Sequence, residues 1–278
     1  MVTRFAPSPT GRLHLGHALS AVLAHDATRA VGGRFVLRIE DIDTARCRPD
    51  FIPAILDDLR WLGIDWDAQD IQTHHAAAHA NALDRLKARG LVYPCTCTRA
   101  EIAASASAPQ GEGVPAYPGT CRGRSPDADE TRPVAWRLDV AKALAQTGQL
   151  TWFDADKGIV VADPLSGGDV VLARKGLGVA YHLAVVVDDA AAGVSHVVRG
   201  CDLFAATHVQ RLLQALLDLP TPAYRHHALI AGPDGKRLAK RTPGATLADL
   251  RGASVDPVAL VDCLRNGQLP VGFGWVSA

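Results

Sequence analysis

The sequence predicts an α/β protein: a parallel-sheet domain split into two halves by a small, largely antiparallel insertion and followed by a short helical tail. Three observations carry that prediction. Strand and helix patterns alternate over residues 2–62, apolar runs of the same kind return after residue 176, and the stretch between them holds a segment too rich in Gly, Pro and small residues to share their core. A chain of 278 residues, 48% hydrophobic and 21% charged, is long enough for one large or two small domains, and its composition excludes disorder and collagen-like structure.

Residues 2–6 read as a short buried strand. Pro7, Pro9 and Gly11 then break it, and HALSAVLAHDATRAV takes up helical spacing. A second strand, RFVLRIEDID, follows Gly32 and Gly33, and Ile52 to Leu62 carry apolar residues at helical intervals up to a stop at Gly63. Near Tyr93 the character changes: YPCTCTRAEI leads into ASASAPQGEGVPAYPGT, which needs a staple or a neighbour to hold it. VAWRLDV, TWFDADKGIVV and DVVLARK read as strands of the insertion. Parallel-sheet character resumes at LGVAYHLAVVVDD and SHVVRGCDL, AATHVQRLLQALLDL is an amphipathic helix, and HHALI is a short strand before a basic loop. The predicted organisation is therefore 1–92 for the first half, 93–175 for the insertion, 176–245 for the second half and 246–278 for the tail, with no internal repeat.

Twenty-nine basic residues balance 29 acidic ones, so any polyanion must be held by a local patch rather than a whole-molecule field. No run of about 18 apolar residues occurs, and the prolines of MVTRFAPSPT interrupt any signal-peptide core. The expectation is a cytoplasmic protein with no membrane partner. There the six cysteines stay reduced, which favours a metal site over a disulfide framework.

In APSPTGRLHLGH a Pro/Gly turn sets His14 and His17 three residues apart at the start of a helix, whose unpaired N–H groups attract phosphate. Neutral imidazoles there donate to triphosphate oxygens. Far along the chain, GPDGKRLAKR carries four basic residues in a six-residue loop, and residues 196–241 hold seven Lys or Arg against three Asp or Glu. The first stretch resembles the HIGH signature of class I aminoacyl-tRNA synthetases, and RFAPSPTG is similar to the glutamyl and glutaminyl branch. The second resembles the KMSKS loop of the same class, with Arg237, Leu238, Ala239, Lys240 and Arg241 on its five positions. Ala239 departs from the pattern, lacking a serine hydroxyl whose hydrogen bond is typically worth about 0.5–1.5 kcal/mol.

The resemblance implies a Rossmann-like class I synthetase core that binds ATP through His14, Gly16, His17, Arg237, Leu238 and Lys240, with Mg2+ on the phosphates. In the family's reaction an amino-acid carboxylate attacks the α-phosphorus of ATP. No general base is required, so the protein aligns the reactants and neutralises charge, and His14, His17 and Lys240 suit that catalytic role. Glutamate needs cations for two carboxylates and an anion for its ammonium group. Arg4, Ala6, Ser8, Glu40, Tyr181 and Arg199 fall on positions that the glutamyl enzymes use around the amino acid, near predicted strand ends. Which arginine meets which carboxylate stays open. Val185 stands where these enzymes often carry Asn. Taken singly, Arg4 and Glu40 also read as surface ions and Tyr181 as core filler.

Cys95-Thr-Cys97 is followed by Cys121, giving three thiolates in the segment that needs a staple; a tetrahedral structural zinc wants a fourth donor. YPCTCT and AYPGTCRG resemble the zinc-binding module of the glutamyl-queuosine synthetases, whose fourth ligand is a tyrosine, a position Tyr117 holds. One structural Zn2+ per chain follows from that resemblance. Cys47, Cys201 and Cys263 have no clustered partner and read as buried small residues. Similarity to the glutamyl catalytic core runs from Arg4 to about Pro270, where full synthetases continue into a helical anticodon-binding region. The resemblance thus implies use of ATP, L-glutamate and queuosine-bearing tRNA(Asp), and a monomer is expected. Three alternatives stand beside it: a glutamyl-tRNA synthetase fragment charging the 3′ end of tRNA(Glu), a non-catalytic zinc-containing tRNA-binding module, and a nucleotidyltransferase acting on a small cofactor. The last shares HxGH but does not account for Arg4, Glu40, Tyr181 and Arg199 together.

Overall fold

A computed structural model describes residues 1–98, 100–102, 117–123, 134–238 and 246–276. Ala239, Lys240 and Arg241 lie outside the described residues. The first half runs β1 (Val2–Phe5), α1 (Leu15–Arg29), β2 (Arg34–Ile39), α2 (Phe51–Trp61), β3 (Ala68–Ile71) and α3 (Ala76–Ala88). β2 pairs in parallel with both β1 and β3, which is why a helix or long crossover separates each pair.

Alternation along β1 and β2 assigns the two faces of this sheet. Thr3, Phe5, Phe35, Leu37 and Ile39 face α1; the Thr3 hydroxyl donates to the Ala24 carbonyl at 2.9 Å, and the apolar members share one core with Leu15, Ala18, Leu19 and Val22. Arg4 and Arg38 project from the opposite face, toward the helix that supplies Asp189.

The insertion begins at β4 (Val92–Cys95) and β5 (Ala135–Leu138), continues through α4 (Val140–Thr147), β6 (Thr151–Asp154), β7 (Gly158–Val161) and β8 (Val171–Arg174), and ends at β9 (Gly178–Val179). β4, β5, β8 and β9 form one antiparallel sheet in that order. Next come α5 (Tyr181–Ala191), β10 (His196–Gly200), α6 (Phe204–Leu216) and β11 (Ala223–His227). The sequence grouped TWFDADKGIVV with the insertion strands. The structure instead places the β6–β7 hairpin at the edge of the second parallel sheet, ordered β10-β11-β6-β7, with Asp154 opposite Tyr224. The physical reason is a non-local one: β6 buries Trp152 and Asp154 alternately, and the indole packs at 5.0 Å from Phe204 and 5.3 Å from Tyr224, residues of the later chain.

The two parallel sheets adjoin where the Ser195 N–H donates to the Val2 carbonyl at 3.0 Å. A second core, including Leu83, Leu86, Val140, Leu183, Leu212 and Leu213, joins α3, α4, α5 and α6. Burying a leucine side chain is worth about 1.5–3 kcal/mol, so these amphipathic faces hold the halves together. The chain closes with β12 (Ile230–Ala231), α7 (Leu247–Gly252), α8 (Pro257–Arg265) and β13 (Gly274–Trp275). The tail is thus not wholly helical, because β13 returns to pair antiparallel with β12. Arg265 grips Asp26 of α1 through two hydrogen bonds of 2.7 and 2.9 Å. The unclustered cysteines differ from expectation: Cys201 is exposed, and Cys47 and Cys263 are half-buried. Among the described residues no helix is long and apolar enough to cross a membrane.

Candidate active site

The turn before α1 is closed by its own histidines. His14, the residue capping α1, accepts at Nδ1 from the Gly16 N–H, and His17 accepts at Nδ1 from the His14 N–H, both at 3.1 Å. This reciprocal cap is the arrangement that Ser or Thr with Glu or Gln usually forms. It has a chemical consequence, since an Nδ1 that accepts carries no proton, and each neutral ring therefore bears its proton on Nε2. The rings lie 3.8 Å apart. Gly16 gives the ring its room: a Cβ there would stand 3.1 Å from His14 Cε1 and 3.2 Å from its Nδ1, so the ring would have to yield by a few tenths of an ångström. No acidic side chain occupies the first turn of α1, so the positive end of the helix is left for an anion.

The described residues on either side of the basic loop pack against this turn. Leu238 is buried in the core with Leu13, and Thr246 bridges to His14 while the Leu247 N–H donates to the Leu13 carbonyl at 2.9 Å. Arg237 pairs with Asp202.

A different construction holds the other predicted residues. Asp189 of α5 accepts from Arg4 Nε at 3.1 Å and from Arg38 Nη1 at 2.8 Å, and Arg38 Nη2 donates to Glu40 at 3.0 Å. Arg4 is 5% and Glu40 8% exposed, so neither is a surface ion. Burial pushes Asp189 up, but Arg4 and Arg38 outweigh it and hold the carboxyl below its usual range. For Glu40 burial wins over the two arginines and the carboxyl is raised.

Arg199 is fixed on almost every side. Its Nη1 donates to the Tyr181 hydroxyl at 3.3 Å, its Nη2 to Thr207 at 2.7 Å and Gln210 at 2.8 Å, and its Nε to His226 Nε2 at 3.1 Å. A guanidinium only donates, so His226 must accept, with its proton on Nδ1 facing Asp154 at 2.7 Å. Burial, with Arg199 adding to it and Asp154 opposing, lowers His226 to about 4, which keeps it the neutral acceptor this geometry needs. Asp154 comes from β6, which gives the displaced hairpin a role at the site.

These parts surround one cavity of about 440 Å³, within the range of small-molecule sites. Arg4, Ala6, Ser8, Glu40, Tyr181 and Arg199 line it, and so do His14, Gly16, His17, Arg237 and Leu238. Tyr181 opens helix α5 rather than ending a strand. Val185 is buried in the second core and is not part of the cavity wall. Sequence reasoning missed Asp189, Arg38, His226 and Asp154, and also Ser20 and His227, which line the cavity and meet at 2.7 Å. One signal was available for Asp189: a carboxylate in the apolar helix YHLAVVVDD has to find a partner when it is buried.

In the insertion, Cys95, Cys97 and Cys121 place their sulfurs within 4.8 Å of one another. The Tyr117 oxygen lies 3.4 Å from Cys95 Sγ and 3.5 Å from Cys97 Sγ, and Cys97 Sγ lies 3.5 Å from Cys121 Sγ. Three sulfurs and one oxygen at such separations fit a closed tetrahedral metal site. The Cys121 N–H donates to the Tyr117 oxygen at 3.0 Å, and the Arg137 guanidinium lies 3.8 Å from the ring centre. Burial raises the Cys95 thiol, but hydrogen bonds from Tyr117 and Arg137 bring it down to about 7, while burial holds Cys97 and Tyr117 above their ordinary values. The cluster can hold a metal ion.

Residues 1–271 match the family described as tRNA synthetases class I (E and Q), catalytic domain. A Glutamyl-Q tRNA(Asp) synthetase from Rhodobacter capsulatus is 51% identical over 270 residues, covering 92% of this chain and 97% of that protein. A Glutamyl-Q tRNA(Asp) synthetase from Symbiobacterium thermophilum is 45% identical, covering 93% of this chain and 83% of that protein. Among solved structures, a glutamate tRNA ligase from Elizabethkingia meningosepticum in complex with its amino acid superposes with a TM-score of 0.72 at 26% identity, covering 87% of this chain and 52% of that one.

Proposed function

The chain belongs to the class I tRNA synthetases of the E and Q group, and from that premise we propose that it activates L-glutamate with ATP and transfers the glutamyl group to the queuosine base in the anticodon loop of tRNA(Asp). The observation that carries the first half of this reading is the single cavity in which Arg4, Glu40, Tyr181 and Arg199 stand with His14 and His17. Arg4 and Arg199 supply cations for the carboxylates of glutamate, and Glu40 supplies the anion for its ammonium. The glutamate α-carboxylate forms a bond to the α-phosphorus, the α–β phosphoanhydride breaks, and pyrophosphate leaves with the electron pair. His14 and His17 donate from Nε2 to the phosphates, and Lys240 adds charge from the basic loop. Mg2+ accompanies ATP and neutralises its phosphate oxygens.

The choice of acceptor rests on the similarity, at 51% identity over nearly its whole length, to a protein named for glutamyl-Q tRNA(Asp). Residues 1–92 and 176–245, joined by the β6–β7 hairpin, act as the catalytic halves, and the remainder of 93–175 is the part offered to the RNA. Unstacked loop bases supply the recognition that a double helix does not. Cys95, Cys97, Tyr117 and Cys121 would hold one structural Zn2+ that braces the insertion. The protein acts as a cytoplasmic monomer.

Pyrophosphate exchange and labelled-glutamate transfer test the reading. Glutamate-dependent exchange without RNA is expected, and label on tRNA(Asp) only when queuosine is present. Equal labelling of queuosine-free tRNA(Asp), or alkali-labile label at the 3′ end of tRNA(Glu), would overturn the acceptor assignment. Absence of exchange at saturating glutamate would reduce the chain to an RNA-binding module.

A further inference from the structure

Away from the cavity wall, a second set of ligand-type side chains converges between α3 and α5. His75 Nδ1 lies 2.8 Å and His79 Nε2 2.6 Å from the same oxygen of Asp188, Oδ1. His75 ends the 3-10 turn of residues 72–75 that leads into α3, and His79 follows four residues later in the first turns of α3. Gln72 Nε2 fixes the other Asp188 oxygen at 2.7 Å, and Asp70 Oδ1 stands 3.3 Å from His75 Nε2.

The proton count of His75 is informative. A neutral imidazole has one N–H, which serves Asp188 or Asp70 but not both. If Nδ1 instead gives its lone pair to a cation, Nε2–H remains for Asp70, and both contacts are satisfied. That is the carboxylate–histidine–metal pattern, and Gln72 orients the ligating carboxylate in the same manner. We propose that His75, His79 and Asp188 form a second metal site, distinct from the cysteine cluster, for a divalent transition ion of the Zn2+ type.

Two imidazoles and one carboxylate suit such an ion, whereas Mg2+ and Ca2+ prefer oxygen ligands throughout. Tetrahedral coordination spreads ligand atoms to about 3.3 Å with zinc bond lengths near 2 Å, so the side chains move apart by roughly half an ångström on binding. The ion enters beside His75, whose side chain is 29% exposed against 1% for His79 and 0% for Asp188. There it ties α3 to α5 one residue before Asp189, the carboxylate that positions Arg4 and Arg38. An imidazolium at His75 bridging the two carboxylates is the metal-free competitor.

Cobalt separates them. The full chain, stripped by chelator and titrated with Co2+ alone, is expected to take up one equivalent per chain with weak visible bands and no sulfur-to-cobalt absorption, in addition to any equivalent bound by thiolates. The paired substitution His75→Gln, His79→Gln removes the former and leaves thiolate absorption unchanged. Asp70→Asn, which touches no ligand-bearing helix core, weakens the same equivalent about 10-fold or more, the usual effect of losing an outer partner. The proposal is overturned if wild-type protein takes up no thiolate-free equivalent, or if that equivalent persists unchanged in the paired variant. Should the paired variant not fold, unaltered Co2+ affinity in Asp70→Asn would also overturn it.

Discussion

The two ends of the cavity are built on different length scales. At the HLGH end, His14 and His17 cap each other across three residues, so the cap itself forms with α1, and Thr246 of the later chain then bridges to His14. At the amino-acid end, Arg4 reaches Asp189 across 185 residues and Arg38 reaches it across 151, so nothing is in place until the two halves of the chain dock. The difference teaches that one end tests local chemistry, whereas the other also tests tertiary assembly. Substitutions at the two ends are therefore expected to separate activity from stability.

Asp189→Asn gives the largest effect. It strips the shared counter-charge from two buried arginines, and breaking a buried ion pair from one side costs about 3–5 kcal/mol. Denaturant unfolding is expected to show that loss together with abolished glutamate-dependent exchange; a variant of wild-type stability would detach this network from the docking of the halves. Lys240→Ala comes next, with the opposite signature. Losing one preorganised charge-stabilising donor slows activation by about two orders of magnitude while the unfolding midpoint stays put. Wild-type exchange in that variant would remove Lys240 from the mechanism.

A middle-sized effect belongs to His226→Asn, which removes the imidazole acceptor of Arg199 Nε and the imidazole partner of Asp154 Oδ2. The KM for glutamate is expected to rise about 10-fold, equivalent to about 1.4 kcal/mol, with the KM for ATP unchanged. A parallel rise in both would mean that the contact supports the cavity as a whole. The same residue sets a pH dependence. Its folded value of about 4 lies below the ordinary 6.5, so between those values the unfolded chain binds a proton that the folded chain does not. Stability contributed by this group is complete above pH 6.5 and is lost as pH falls toward 4; unfolding of His226→Asn followed over the same range is expected to show a shallower slope. The smallest effect is that of Gly16→Ala. Its Cβ displaces the His14 ring by a few tenths of an ångström, while Ala is favoured over Gly in a helix by about 0.5–1 kcal/mol. A several-fold rise in the KM for ATP without loss of stability is expected, and unchanged ATP kinetics would show that the ring has room to move.

How much of this was legible differs with the same length scale. The β1–α1–β2 order could be read from Pro7, Pro9, Gly11 and the helical spacing after His17, because local sterics and periodicity set those elements. The resemblance pointed to part of the cavity wall, Arg4, Ala6, Ser8, His14, Gly16, His17, Glu40, Tyr181, Arg199, Arg237 and Leu238, yet composition and spacing alone could not show that Arg4 and Glu40 are buried. Strands β6 and β7 were visible as strands, since a hairpin is a local object. Their sheet was misassigned because the partner, β11, lies some seventy residues later and leaves no mark on the pattern of TWFD.

What the amino-acid sequence determined by itself was the alternation of elements, the placing of His14 and His17 three residues apart at the start of a helix, and the presence of three thiols in a segment unable to support its own core. Only the tertiary structure decided which carboxylate each buried arginine meets, that Asp154 of the hairpin holds His226 against Arg199, and that His75, His79 and Asp188 converge. The reason is physical. Caps and periodicity act over one or two turns of backbone, while a buried charge takes whichever partner the docking of distant elements brings within 3 Å, and that choice belongs to the folded chain as a whole.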